Sequence, residues 1–127
     1  MAKLKGKSLR IAVNNGYCFA GNAALFGTAD FCISTKNSWL GMAGPAMIEG
    51  GGLGKVNPKD IGPAEEQEKL GVIDYLAEDE ADATSFAKKL LSYFQGSLNK
   101  WETKDQSILR NLIPENRRMA YSVRDII

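Results

Sequence analysis

Residues Leu9 to Ile33 read LRIAVNNGYCFAGNAALFGTADFCI, and the order of elements they imply decides the fold. Leu9, Ile11 and Val13 alternate with Arg10, Ala12 and Asn14, the period of a short strand with one more apolar face. Asn14-Asn15-Gly16 is turn chemistry. The small-residue run that follows predicts a short helix opened by Asn22, with Gly21 relaxing its start and Gly27 closing it. Phe31-Cys32-Ile33 then reads as a short buried strand. Strand, glycine turn, helix, strand is the repeating unit of an α/β domain with mostly parallel pairing.

Working outward, Ser34 to Ser38 reads as a turn and Trp39-Leu40 as a brief pairing segment. Then comes LGMAGPAMIEGGGLG, Leu40 to Gly54, with six glycines in fifteen residues, which reads as a poor helix and a poor strand. Its one charged residue is Glu49, which either answers a cation or accepts backbone N–H bonds, the second being the commoner use of such a carboxylate. A short helix is expected from Pro63 over AEEQEK, with proline at its first position. A strand is expected in GVIDYLAED, where Asp74 is a turn-holding acid. The clearest helix follows, with Phe86, Ala87, Leu90, Leu91 and Phe94 at helical spacing. Asp79 caps it, Asp82 takes the place of a capping-box acid, and Gly96 ends it. The tail is helical only in pieces: Ile108, Leu109 and Leu112 are candidates to dock, Pro114 stops the segment, and Arg117, Arg118 and Arg124 supply positive charge.

Composition narrows the function classes. The 127 residues are 44% hydrophobic and 24% charged, with a net charge of +1, which fits one small domain without a pull toward nucleic acid or anionic membrane. There is no histidine, so the commonest general base and metal ligand is missing, and neither a Ser-His-Asp set nor a metal cluster can be assembled. Cys18 and Cys32 make no CxxC and read as reduced, partly buried residues of a cytoplasmic protein. No stretch has the length of a membrane helix. Residues 1–7, MAKLKGK, read as a flexible basic start, and 8–127 as one partial domain.

Two glycine-containing turns remain where chemistry can sit. Phe19-Ala20-Gly21-Asn22-Ala23 enters a helix, and backbone N–H groups there can face a developing oxyanion. Gly41 to Gly54 is the other. Both also fit the plainer reading of tight turns in a crowded core. Neither GxGxxG at a strand end nor GxxxxGK[ST] occurs.

GYCFAGNAALFGTADFCIST, then LGMAGPAMIEGGGLGKVNPKDIGPAEEQEKLGVIDYLAEDEADA, AKKLLSYFQG and LIPENRRMAYSVRDII closely resemble part of the carboxyltransferase subunit of biotin-dependent acyl-CoA carboxylases. The resemblance runs from about Ser8 to Ile127. It implies a partial crotonase-like α/β domain built of ββα spiral units, the later part of the family's N-terminal domain. It implies transfer of a carboxyl group from carboxybiotin, carried on a partner protein, to an acyl-CoA substrate, with no tightly bound cofactor and no metal. Gly21, Asn22 and Ala23 become backbone oxyanion donors. Phe19, Ala20, Gly44, Pro45, Ala46, Gly50, Gly51 and Gly52 become substrate-binding positions. Arg117 and Arg118 become candidate phosphate or interface groups.

Family subunits are several times longer, and their second oxyanion hole belongs to a C-terminal domain that this sequence does not contain. Activity is therefore expected only with the missing carboxyltransferase domains or a homo-oligomer, and with a biotin carrier and biotin carboxylase. Two alternatives stand beside that reading. One is a non-catalytic interaction protein or truncated remnant, and the other a crotonase-type hydrolase or isomerase using Glu49.

Overall fold

A computed structural model describes residues 2–127; Met1, the first residue of the expected basic start, lies outside them. The chain divides into two units, residues 1–95 and 96–127. Among the described residues, the first carries five strands and four α-helices: β1 (Ile11–Asn14), β2 (Tyr17–Phe19), α1 (Gly21–Phe26), β3 (Phe31–Thr35), β4 (Trp39–Gly41), α2 (Pro45–Gly50), α3 (Ala64–Lys69), β5 (Tyr75–Ala77) and α4 (Glu80–Ser92).

Every strand pair in these sheets is parallel. One sheet has the order β1-β3-β5 and the other pairs β2 with β4. Each turn of chain thus gives one strand to each sheet before a helix carries it back, the ββα spiral that the α/β pattern and the resemblance implied.

The corners between the sheets are held by buried side chains. Asn14 Nδ2 donates to Ser34 Oγ at 3.2 Å, and Thr35 Oγ1 donates to Asn15 Oδ1 at 2.8 Å. Ser38 Oγ lies 2.6 Å from Thr35 Oγ1 and accepts the Gly16 N–H at 2.8 Å. These bonds explain why β3 runs on to Thr35, where a turn was expected from Ser34. Its hydroxyls are buried, and each is paired with the adjacent spiral turn. β2, for which no strand was expected, is too short for alternation to show and exists because it lies in register with β4, Tyr17 opposite Trp39 and Phe19 opposite Gly41.

The core follows from the pleat of β3. On one face Cys32 joins Cys18, Ala23, Phe26, Leu40, Ala64 and Ile73. On the other Ile33, fully buried, meets Ala77, Ala83 and Leu90. Phe86 of α4 stacks on Tyr75 at 3.7 Å. Leu91 and Phe94, expected in the same stripe, are about half exposed.

Asp79 caps α4 as expected, accepting the Asp82 N–H at 2.9 Å. Asp82 does not close a reciprocal box, for its carboxylate accepts the Glu78 N–H and the Tyr75 hydroxyl instead. The helix ends at Ser92, and Gly96, at φ +102°, turns the chain beyond it.

Two other boundaries move. Pro63 caps α3 and does not open it, because residues 62–64 run beside β4: Leu40 N–H donates to Gly62 C=O and Ala64 N–H to Ser38 C=O. β5 starts at Tyr75, since the Val72 and Ile73 amides already donate to the Gln67 carbonyl at the end of α3. Asp74 holds backbone, as read from sequence: its carboxylate accepts the Cys32 N–H at 2.8 Å. The second unit contains short 3-10 turns at Gln106–Asn111 and Val123–Asp125, and Ile108 there is exposed.

Candidate functional site

The turn from β2 into α1 is built on a strained alanine. Ala20 has φ +53° and ψ −119°, the one non-glycine residue with positive φ among the described residues. Its N–H donates to Gly41 C=O at 3.0 Å and its C=O accepts the Ala24 N–H at 3.0 Å, so it is fixed from both sides. The N–H groups of Gly21, Asn22 and Ala23 follow in the first helical turn, where no earlier carbonyl is in reach. Alanine has no side chain to cap them, and none of the three donates to an acceptor among the described residues.

Gly21 needs neither a positive φ nor close packing: a Cβ there would meet nothing within 4 Å. Glycine at that position therefore adds no side chain beside three amides that have no partner among the described residues, two on the exposed Gly21 and Asn22 and the third on the buried Ala23. Such a set can hold an oxygen that gains negative charge.

The second glycine-rich stretch is not the irregular loop expected. Pro45 to Gly50 form α2, with Gly44 extended at the cap and Pro45 in the first turn. Pro45, Ala46, Met47, Ile48 and Glu49 are compatible with helix, and five of the six glycines fall outside the helix, with only Gly50 at its last position. Two glycines owe their place to packing. A Cβ on Gly44 would come within 3.3 Å of the Phe19 ring, and one on Gly41 within 2.7 Å of Ile61. Gly52 and Gly54 owe theirs to φ values of +74° and +89°.

Phe19 and Gly44 are thus brought together, and Pro45 and Ala46 begin the helix that leaves them. Gly50, Gly51 and Gly52 stand at its other end, about 9 Å along the axis at 1.5 Å per residue. Glu49 faces Lys55 at 3.8 Å, both exposed, so it answers a cation, the less common of the two uses weighed for it. Arg117 and Arg118 are exposed and belong to the second unit.

The thiols offer no nucleophile. Cys18 and Cys32 are free and buried; burial pushes both upward, and Asp74 adds to the shift at Cys32. Sequence reasoning missed the role of Ala20, because alanine carries no sign of a left-handed backbone. No helix among the described residues is long and apolar enough to cross a membrane.

A parallel ββα spiral with an unpaired amide turn at the start of a short helix defines a crotonase-like α/β architecture. Comparison with known proteins gives the family. The Carboxyl transferase domain family matches residues 1–127, and the chain belongs to it. It is 30% identical to the methylmalonyl-CoA carboxyltransferase 12S subunit of Propionibacterium freudenreichii subsp. shermanii, over 98% of this chain and 26% of that protein.

Among solved structures, a single-chain, multi-domain long-chain acyl-CoA carboxylase superposes with a TM-score of 0.77 at 49% identity, covering 98% of this chain and 12% of that one. The transcarboxylase 12S hexamer with hydrolysed methylmalonyl-CoA bound gives a TM-score of 0.73 at 30% identity, covering 97% and 26%. The chain therefore spans about a quarter of the length of the curated relative.

Proposed function

We propose that this chain supplies the acyl-CoA-binding wall of a biotin-dependent carboxyltransferase site and acts only together with partner domains. The observation that carries the reading is the set of three amides without a partner among the described residues at the start of α1, beside a Gly21 that carries no side chain. A thioester carbonyl placed there accepts N–H bonds from Gly21, Asn22 and Ala23. As the α-carbon gives its proton to a base that the co-substrate or a partner domain supplies, the C–H electron pair passes into the enolate and charge moves onto that oxygen, where N–H donors stabilise the enolate more than the thioester.

Carboxybiotin, brought by a carrier protein as co-substrate, supplies the carboxyl group. Phe19, Ala20, Gly44, Pro45 and Ala46 line the same side of the site; Gly50, Gly51 and Gly52 bound it at the far end of α2. Arg117 and Arg118 are left as phosphate or interface groups. The biotin carrier, a biotin carboxylase and further carboxyltransferase domains are the partners this reading requires. The location of Glu49, salt-bridged at the exposed far end of α2, weighs against a hydrolase or isomerase that would use it as the acid.

Gly21→Ala is the direct test. Its methyl meets nothing in the protein, so the fold tolerates it, and alanine is the better helix former. Unfolding in urea is expected to be unchanged or slightly later. Acetyl-CoA titrated into the labelled wild-type chain is expected to shift the Gly21, Asn22 and Ala23 amide resonances. The Gly21→Ala substitution is expected to weaken that response about tenfold or more. The purified chain alone is expected to transfer no carboxyl group from carboxybiotin; measured turnover would sink the need for partner domains.

A further inference from the structure

Asn15 is the one asparagine in the sequence that is followed by glycine, and the pair makes the tight link between β1 and β2. Asparagine is thermolabile, most of all before glycine, where no side chain shields the next main-chain nitrogen. At Gly16 a Cβ would meet nothing within 4 Å, and its φ of +101° is one that glycine adopts freely. Asn15 is itself exposed and borders an opening of about 380 Å³ that Glu78, Asp79 and Glu80 also line. Its side chain is therefore within reach of water.

Three bonds tie down both reacting groups. The Gly16 N–H donates to Ser38 Oγ at 2.8 Å, Asn15 Oδ1 accepts the Thr35 hydroxyl at 2.8 Å, and Asn15 Nδ2 donates to Glu80 Oε1. Thr35 and Ser38 are buried, whereas Glu80 is exposed and is the first residue of α4. The bond to Glu80 is thus the one that breaks when the start of α4 lifts.

We propose that Asn15-Gly16 is a latched deamidation site: the seat of α4 on Asn15 keeps it unreacted, and its product prevents α4 from seating again. Local opening of α4, well short of global unfolding, frees the Asn15 side chain to turn toward the Gly16 nitrogen. That nitrogen gives its proton to water or hydroxide and attacks Asn15 Cγ. A new Cγ–N bond forms, the Cγ–Nδ2 bond breaks, and Nδ2 takes a proton from water and leaves as ammonia. The product is a five-membered succinimide. Water then opens either ring C–N bond to give aspartate or isoaspartate, with no change in oxidation state.

Both products put a carboxylate where Nδ2 had donated, so Glu80 faces an acceptor of like charge, with Glu78 and Asp79 around the same opening. Isoaspartate also adds one carbon to the main chain just before Gly16, whose C=O accepts the Trp39 N–H where β2 begins to pair with β4. The inference is independent of the carboxyltransferase reading.

The full chain is aged at mildly alkaline pH, native and in urea, and its peptides are followed by mass spectrometry for the change from amide to acid at Asn15. Conversion is expected to be about tenfold or more slower in the native chain than in urea. Glu80→Ala is expected to raise the native rate about threefold or more and to leave the rate in urea unchanged. Alanine is a good helix former at an exposed position, so this variant keeps α4, which thermal unfolding checks. Asn15→Asp, which is the deamidated chain, is expected to unfold at lower urea than the wild type. Adding Glu80→Gln, whose amide donates to the new carboxylate, is expected to recover most of that loss and to gain more than Glu80→Gln gains alone. The proposal is overturned by equal rates in the native and unfolded chain, by a native rate that Glu80→Ala leaves unchanged, or by an Asn15→Asp chain as stable as the wild type.

Discussion

Ala20 is the residue whose backbone costs the fold most visibly. At φ +53° and ψ −119° it occupies a region that glycine enters freely and alanine does not. Strain of about 1–3 kcal/mol is relieved by Ala20→Gly, and part is given back because glycine is freer in the unfolded chain. The net expectation is a gain of about 1 kcal/mol in urea unfolding; no gain would mean that the turn is unstrained. Asp30 makes a second prediction. Arg10 bonds both of its carboxylate oxygens, at 2.6 and 3.1 Å, and the Arg10 N–H donates at 3.0 Å. The Arg10 side chain, then its N–H and charge, hold the Asp30 carboxyl below its ordinary value. A group depressed in the folded state stabilises above the ordinary carboxylate range, and the effect is lost as pH falls through the lowered value. The stability difference between the wild type and Asp30→Asn is therefore expected to shrink steadily on acidification below about pH 4, measured by denaturant unfolding at a series of pH values. A constant difference would show that the ion pair is not its source.

At the scale of elements, α4 shows what sequence reads well. Asp79 at its cap and the apolar spacing behind it were legible because the helix is long enough for periodicity to show, and because capping is a local bond. Asp79→Ala is expected to cost about 1 kcal/mol in unfolding free energy, while Asp79→Ser keeps most of it. α2 shows the opposite. Six glycines hid a helical turn of six residues, since what matters is where the glycines fall relative to Pro45 and how Gly44 fits against Phe19. Gly62 is a sharper case of the same rule. It has φ +57°, and a Cβ there would lie 1.9 Å from the Leu40 carbonyl oxygen, a contact that no local pattern announces. β2 was likewise missed, because three residues carry no period and their partner β4 lies some twenty residues on.

Across the first unit, β3 is the strand on which everything else is assembled. It lies between β1 and β5, buries Ile33 completely, and sends Cys32 and Ile33 into the two separate cores. Its amides are expected to exchange with solvent more slowly than those of β2, β4 or α2, whose sheet has two strands and whose helix is short. Faster exchange at Ile33 than at Cys18 would contradict that order. The sequence by itself determined the α/β class, the parallel pairing, the capped α4, the backbone role of Asp74 and, through its motifs, the carboxyltransferase resemblance. All of these are carried by local bonds, by periodicity or by residue order. Only the tertiary structure decided the strained Ala20, the packing of Gly44 on Phe19, and the buried Asn14, Ser34, Thr35 and Ser38 corners. Each of these arises where strands distant in sequence are brought side by side. A glycine or alanine reads the same in the sequence whether its neighbour across the sheet is a ring, a carbonyl or open solvent, so the space around it is fixed by packing alone.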